Sequence, residues 1–481
     1  MLKVDEKSKT PLYVQLYQQI KRDILAGTMK AGTKLKSSRA VSAELHISRN
    51  TVESAYAQLY AEGFISSRPR KGYYVELLEP RPFCGCLTTE SSKAEQGPAS
   101  GVKYDFRCGQ LLLDELPCNQ WQRLITRCFH DYRESLARQG CVFGERELRA
   151  QIQRHLYDYR HISCSAEQIV ITPGTQFCLG LVCQLLNDIG GGQGVAMEEP
   201  GYHQSRITLQ NSGLKVYPAA LDEHGVMPGA LSAPETIAAY ITPSHQFPTG
   251  TVMPLSRRTE LARWAARNHT YVIEDDYNCH FQHGLKPLPA LQSLCADRVF
   301  YIGGFSDILL PCIRVAYMVV PQPLWERLHG WFKGQASFVP FLTQKPLELF
   351  MKEGHWESHL RKMRKRQKDK CEALVGVLKS AFGDSISVSG FHAGLHLLLT
   401  ARWPGKESEL VCRACRAGVG VYPTSKYWRS HPKGENATVL LNYGGVSLED
   451  IPVAVNLLYE AWLGGASGAV KDSGAGACAW G

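Results

Sequence analysis

Apolar residues recur at helical spacing from the start of the chain. Leu12, Leu16, Ile20 and Ile24 share one helix face, and Gly27 then Gly32 end that helix. Ser37-Ser38-Arg39 opens a second helix with Val41 and Leu45 on its apolar side. His46-Ile47 makes a tight turn, and Ser48 caps a third helix, SRNTVESAYAQLYAEG, which stops at Gly63. Phe64-Ile65, the basic turn Arg68-Pro69-Arg70-Lys71-Gly72 and Tyr73-Tyr74-Val75 predict a short hairpin. Helices joined by a turn and followed by a basic hairpin predict a winged helix-turn-helix over residues 10–75.

Periodicity then lapses. Residues 76–101 gather Pro, Gly, Ser and charge, and a flexible linker is expected over 76–103. From Tyr104 onward short apolar runs alternate with helical stretches: QIVITPG, GVAMEEPGY, LKVYPA, IAAYITPS, TYVIEDDY, RVFYIGG and RVAYMVVP. This alternation predicts an α/β body with a mostly parallel sheet covered on both faces, over residues 104–464. A smaller α+β subdomain with dimer-forming helices is expected from about 340 to 464. Residues 465–481, rich in Gly, Ala and Ser, read as a disordered tail.

Charge sharpens the division. The net charge is +9, and residues 1–75 hold 13 Lys and Arg against 6 Asp and Glu, an excess of +7. That is the electrostatic footprint of a nucleic-acid-binding module on a near-neutral body. Arg49, Asn50 and Thr51, at the start of the third helix, suit base edges in the major groove. Ser38, Arg39 and Ser48 are placed for phosphates, and Arg70 and Lys71 on the wing for an adjacent groove or backbone. The chain has 16 cysteines, scattered and without a secretion signal, so reduced thiols are expected. Cys412 and Cys415 form a C-x-x-C with no second pair, and no metal site is expected. No apolar run reaches membrane-helix length, and the expected compartment is the cytoplasm.

The ordered set PLY, SSRA, SRNTV, EGF and KGYYV resembles the GntR family of bacterial repressors, which implies operator DNA as a partner. Lys36 stands where that family usually has proline. Glu53 lies in the third helix where some relatives carry a basic residue, which is expected to alter operator preference.

The segment Gly303-Gly304-Phe305-Ser306-Asp307-Ile308-Leu309-Leu310-Pro311-Cys312-Ile313-Arg314 resembles the cofactor-lysine segment of fold-type I pyridoxal-phosphate transaminases. Other loops agree in order: Gly174-Thr175-Gln176, Glu199-Pro200-Gly201-Tyr202, the SHQFPTG loop with Gln246, and Glu274-Asp275-Asp276-Tyr277. FRCGQ, EGHWESHLRKMRK and GVGVYP match as well. Joined to a GntR-like head, the chain resembles the MocR subfamily of regulators. The resemblance implies that Gly174, Thr175, Gln176, Ser306 and Arg314 hold a phosphate and that Tyr202 stacks on the cofactor. It implies Gln246 beside the cofactor, Asp275 on its pyridine nitrogen and Tyr277 on its phenolic oxygen.

At the lysine position stands Asp307, and a carboxylate cannot condense with an aldehyde. Lys286 and Lys345 are the nearest candidate substitutes, and neither lies on this strand end. Gly304 replaces a usual hydroxyl residue, and Leu440 stands where some relatives carry an arginine for the amino-acid carboxylate. The resulting expectation is a DNA-binding regulator whose transaminase-like domain dimerises, head to tail, and senses a small ligand without forming an internal aldimine. Pyridoxal phosphate or pyridoxamine phosphate, held non-covalently, is the expected cofactor, with an amine favoured by Asp307. The alternatives are an aminotransferase with a substitute lysine and a ligand-blind dimeric DNA-binding protein.

Overall fold

The computed structural model describes all residues except 1–3, 6, 7, 9, 70, 77–100, 191, 234, 284–287, 404, 430–436 and 465–481. Two compact units divide between Gln96 and Gly97. The expected linker and tail fall mostly outside the described residues.

The N-terminal unit is built from α1 (Leu12–Leu25), α2 (Ser38–Leu45), α3 (Arg49–Ala61) and the antiparallel hairpin of β1 (Ile65–Arg68) and β2 (Gly72–Val75). Leu16, Ile20, Val52, Ala55 and Leu59 are fully buried between the helices. The Ser37 and Ser48 hydroxyls accept hydrogen bonds from the Ala40 and Thr51 backbone N–H groups, satisfying donors that a helix start otherwise leaves open. His46 takes a left-handed conformation, φ 54°, which turns the chain sharply between α2 and α3. Lys34 bridges to Tyr74 and so adds a rung to the hairpin.

The C-terminal unit opens with β3 (Tyr104–Asp105). Its large sheet uses β4 (Ile169–Thr172), β5 (Gly194–Glu199), β6 (Lys215–Asp222), β7 (Gly225–Val226), β8 (Thr236–Ile241), β9 (Tyr271–Asp275), β10 (Val299–Gly304) and β11 (Ala316–Val319). Their order is β4-β11-β10-β9-β8-β5-β6-β7. Neighbours from β10 through β6 are parallel; β10, β9, β8 and β5 are buried on both faces, which explains their unbroken apolar runs, whereas β6 stays partly exposed. Alternate residues serve opposite layers. Ala238 and Tyr240 of β8 join the core under the helix Thr175–Ile189, whereas Ala239 and Ile241 join that under the helix Leu255–Arg267.

The run RVAYMVVP departs from the parallel expectation: β11 is antiparallel to both β10 and β4. The chain between β10 and β11 holds one 3-10 turn, Pro311–Ile313, instead of a crossover helix, so it can only return alongside.

A second sheet, order β12-β13-β16-β15, is antiparallel and comprises β12 (Ile386–Ser389), β13 (His396–Ala401), β15 (Tyr422–Pro423) and β16 (Thr438–Asn442). Strand β14 (Val419–Gly420) pairs instead with β3. The helix His355–Phe382 buries Trp356, His359, Leu360 and Met363 against the same core.

Candidate functional site

The carboxyl ends of the parallel strands enclose a cavity of about 260 Å³. In open α/β sheets ligands gather there, because backbone N–H groups and loop side chains converge while the strands wall the floor. Gly174, Thr175, Gln176, Tyr202, Asp275, Tyr277, Ser306, Asp307 and Arg314 all line it.

At one end the helix Thr175–Ile189 begins. Gly174 caps it with φ 112°, and a Cβ added there would lie 2.9 Å from a terminal nitrogen of Arg314. The guanidinium therefore lies beside the positive end of a helix, an arrangement made for an anion such as a phosphate. Ser306 lines the same cavity. A Cβ at Gly304 would meet the Thr175 side chain at an ordinary 3.8 Å, so the lost hydroxyl leaves room rather than strain.

At the floor, Asp275 ends β9. Tyr240 donates its hydroxyl to Asp275 Oδ2, while Oδ1 has no partner. Burial pushes this carboxyl up to about 6. The Tyr277 hydroxyl is also buried without a partner. Unpaired buried polar atoms cost stability, so two of them facing one cavity fit a ligand that supplies a donor and an acceptor. The flanking acids have other work. Glu274 accepts the backbone N–H groups of Leu291 and Gln292 at 2.9 Å. Asp276 forms a buried ion pair with Arg160 at 2.7 Å and accepts from Tyr301.

Asp307 lies on the turn after β10. Its carboxylate has no hydrogen-bond partner among the described residues, and burial raises its pKa, opposed by Arg314. The turn is fixed from behind: His359 bonds the Ile308 carbonyl at 2.7 Å, and Phe305 packs on Trp356 at 5.2 Å between ring centroids. No lysine lines the cavity among the described residues. Lys345 is held by Glu348 at 2.8 Å, and Lys286 lies outside the described residues.

Gln246 departs from expectation. It is buried but does not line the cavity. Its amide nitrogen donates to the Pro200 and Phe247 carbonyls at 2.8 and 2.7 Å, and its oxygen accepts from Thr249, so it ties loops together behind the site. Sequence reasoning missed Cys108, Gly109, Gln110, Tyr240, Asn278 and Asn442. FRCGQ was visible as a motif but carried no chemistry by which to place it. Cys108 is an exposed free thiol at the cavity wall. Asn278 adopts φ 53°, which turns the chain away after Tyr277.

In the N-terminal unit the start of α3 is exposed, with Ser48, Arg49 and Asn50 open to solvent and Thr51 half-buried. The Ser48 hydroxyl is engaged in its cap. Arg39 and Lys71 are exposed, Ser38 is half-buried, and Arg70 lies outside the described residues. Glu53 receives Arg49 Nε at 2.7 Å and the Ser38 hydroxyl at 3.3 Å, linking α2 to α3 on the basic face.

Two family models match the chain: bacterial regulatory proteins of the gntR family over residues 12–75, and aminotransferase class I and II over residues 104–427. The chain is 36% identical over 462 residues to the uncharacterized HTH-type transcriptional regulator YhdI of Bacillus subtilis, covering 95% of this chain and 97% of that one. It is 30% identical over 491 residues to the probable rhizopine catabolism regulatory protein MocR of Rhizobium meliloti, covering 99% and 97%. Among solved structures, the α-aminoadipate aminotransferase LysN of Thermus thermophilus, complexed with N-(5′-phosphopyridoxyl)-L-leucine, matches with a TM-score of 0.66 at 24% identity. That match covers 76% of this chain and 93% of LysN, and it shows the fold.

Proposed function

The chain belongs to the MocR-type transcriptional regulators of the GntR family, a helix-turn-helix head joined to an aminotransferase class I/II body, and on that premise we propose that the body is a sensor that holds a pyridoxal-phosphate-type ligand without a covalent bond. Such a cofactor supplies an aldehyde that condenses with primary amines. Arg314, Ser306 and the helix start at Gly174 would hold its phosphate, Asp275 Oδ1 its ring nitrogen, and Tyr277 its phenolic oxygen. Tyr202 would cover the ring. Asp307 stands at the anchoring lysine's position by resemblance and offers no amine.

One observation carries the reading: a ligand cavity with unpartnered polar atoms on its floor and no lysine in its described lining sits in a chain that also carries a DNA-binding head. The unpartnered atoms weigh against a ligand-blind body. The engaged Lys345 weighs against an aminotransferase with a substitute lysine.

The head would read operator DNA through Arg49, Asn50 and Thr51 at base edges, with Ser38, Arg39, Ser48 and the wing residues Arg70 and Lys71 on the backbone. A head-to-tail homodimer in the cytoplasm would present two heads to paired half-sites. Among the described residues no helix is long and apolar enough to cross a membrane. A gel shift with the chain's own promoter region tests the sensor: B6 phosphates should change operator affinity. Unchanged affinity at saturating ligand contradicts it.

A further inference from the structure

Three charged side chains line the cavity among the described residues: Asp275, Asp307 and Arg314. Each faces a different demand. Arg314, beside the helix start at Gly174, is spent on a phosphate, because no other cationic side chain lines the site among the described residues: His396 also lines it, but burial lowers its pKa to about 4 and leaves it neutral. Asp275 keeps one buried oxygen, Oδ1, without a hydrogen-bond partner. Asp307 remains, a carboxylate with no hydrogen-bond partner among the described residues, whose charge disfavours ionisation of Asp275 and which Arg314, the single cation of the described lining, offsets only in part. Bringing a phosphate into such a site adds negative charge, which favours a ligand that brings its own cation.

A protonated primary amine answers that demand with a positive charge and three donors. An aldehyde does not: its oxygen is an acceptor and would face another acceptor. The rest of the wall restricts the ligand further. Phe247 and Tyr202 line the cavity, and behind them Leu440 and Tyr427 complete a buried apolar cluster. With Arg314 engaged and His396 kept neutral by burial, no cationic side chain in the described lining is left for a second anionic group.

Resting on the sensor reading above, we infer that Asp307 converts the pocket into an amine receptor, selective for an aromatic phosphate ester bearing a free primary amine and no carboxylate: pyridoxamine 5′-phosphate, in preference to pyridoxal 5′-phosphate.

Calorimetric titration of the full chain with pyridoxamine 5′-phosphate, pyridoxal 5′-phosphate and N-(5′-phosphopyridoxyl)-L-leucine tests this. The amine is expected to bind at least tenfold more tightly than the aldehyde and more tightly than the leucine adduct, the tenfold being the usual worth of one charge-assisted hydrogen bond. Asp307→Asn should erase the preference for the amine. Thermal melting verifies that this variant is folded, and Arg314→Gln should weaken both vitamers together. Aldehyde binding as tight as amine binding, an adduct as tight as the free amine, or an unchanged preference in Asp307→Asn overturns the inference, as does failure of all three to bind. Selective amine binding with no effect on the operator complex supports the inference and removes the sensor reading instead.

Discussion

Glu274 and Asp275 end one strand, Asp276 follows it, and the three meet three environments. Successive side chains of a strand point to opposite faces, so adjacent acids cannot share a role. The first caps a turn, the third neutralises Arg160, and the middle one faces the cavity. Asp275 has its pKa raised from 3.8 to about 6, so the folded chain holds that proton where the unfolded chain has released it. Its contribution therefore favours the folded state at low pH and is lost as pH rises from about 4 through about 6. Asp275→Asn should stabilise the ligand-free protein at pH 7.5 by about 1–3 kcal/mol, read as a higher melting temperature, and should abolish binding of a B6 phosphate. A lower melting temperature contradicts this account of the residue. Glu53 makes an equally local prediction. Removing its charge in Glu53→Gln frees Arg49 and takes a negative group off the basic face. Affinity for non-specific duplex should rise about threefold to tenfold in a fluorescence anisotropy titration, and discrimination of the operator should fall. The sequence could mark these residues but not their partners. Asp275 was identified by resemblance; that Gln246 turns away from the cavity depends on the Pro200 and Thr249 groups it binds, which no local pattern reveals.

At the scale of elements, the phosphate end depends on how one helix starts. Gly174 has a left-handed φ of 112°, and any side chain there would press on Arg314 at 2.9 Å. Gly174→Ala should cost about 1–3 kcal/mol of stability through backbone strain and weaken phosphate-ester ligands at least tenfold in the same calorimetric titration. Unaltered affinity would show that the anion sits elsewhere. The helix His355–Phe382 has a comparable supporting part, since His359 holds the Ile308 carbonyl and thereby the turn carrying Asp307. Elements of this kind were largely legible. Helices α1 to α3 followed from apolar spacing and capping serines, and the strands from apolar runs buried on both faces. The direction of β11 was not legible, because an apolar run looks the same in a parallel and an antiparallel neighbour, and the connection alone decides. The cavity was legible only in outline: Tyr240 and Asn442 reach it from β8 and β16, far apart in sequence.

For the whole molecule, charge and cavity are assigned to different units. Residues 1–75 carry most of the net +9, so DNA affinity of the full chain should fall steeply with salt, whereas the neutral-to-acidic pocket obeys a different balance. If the two are linked, the linkage is reciprocal: saturating operator DNA should change the affinity for the B6 phosphate by the factor by which that ligand changes operator affinity. Calorimetry with and without DNA measures one factor and the gel shift the other, and unequal factors contradict a simple two-state coupling. The central claim is simpler still, that this pocket holds its ligand without a tether. Incubation with one equivalent of pyridoxal phosphate, borohydride reduction and peptide mass spectrometry tests it directly, with Asp307→Lys as the positive control. The account predicts an unmodified wild-type chain and a stoichiometric pyridoxyl group on the control; a stoichiometric pyridoxyl group on any wild-type lysine contradicts it.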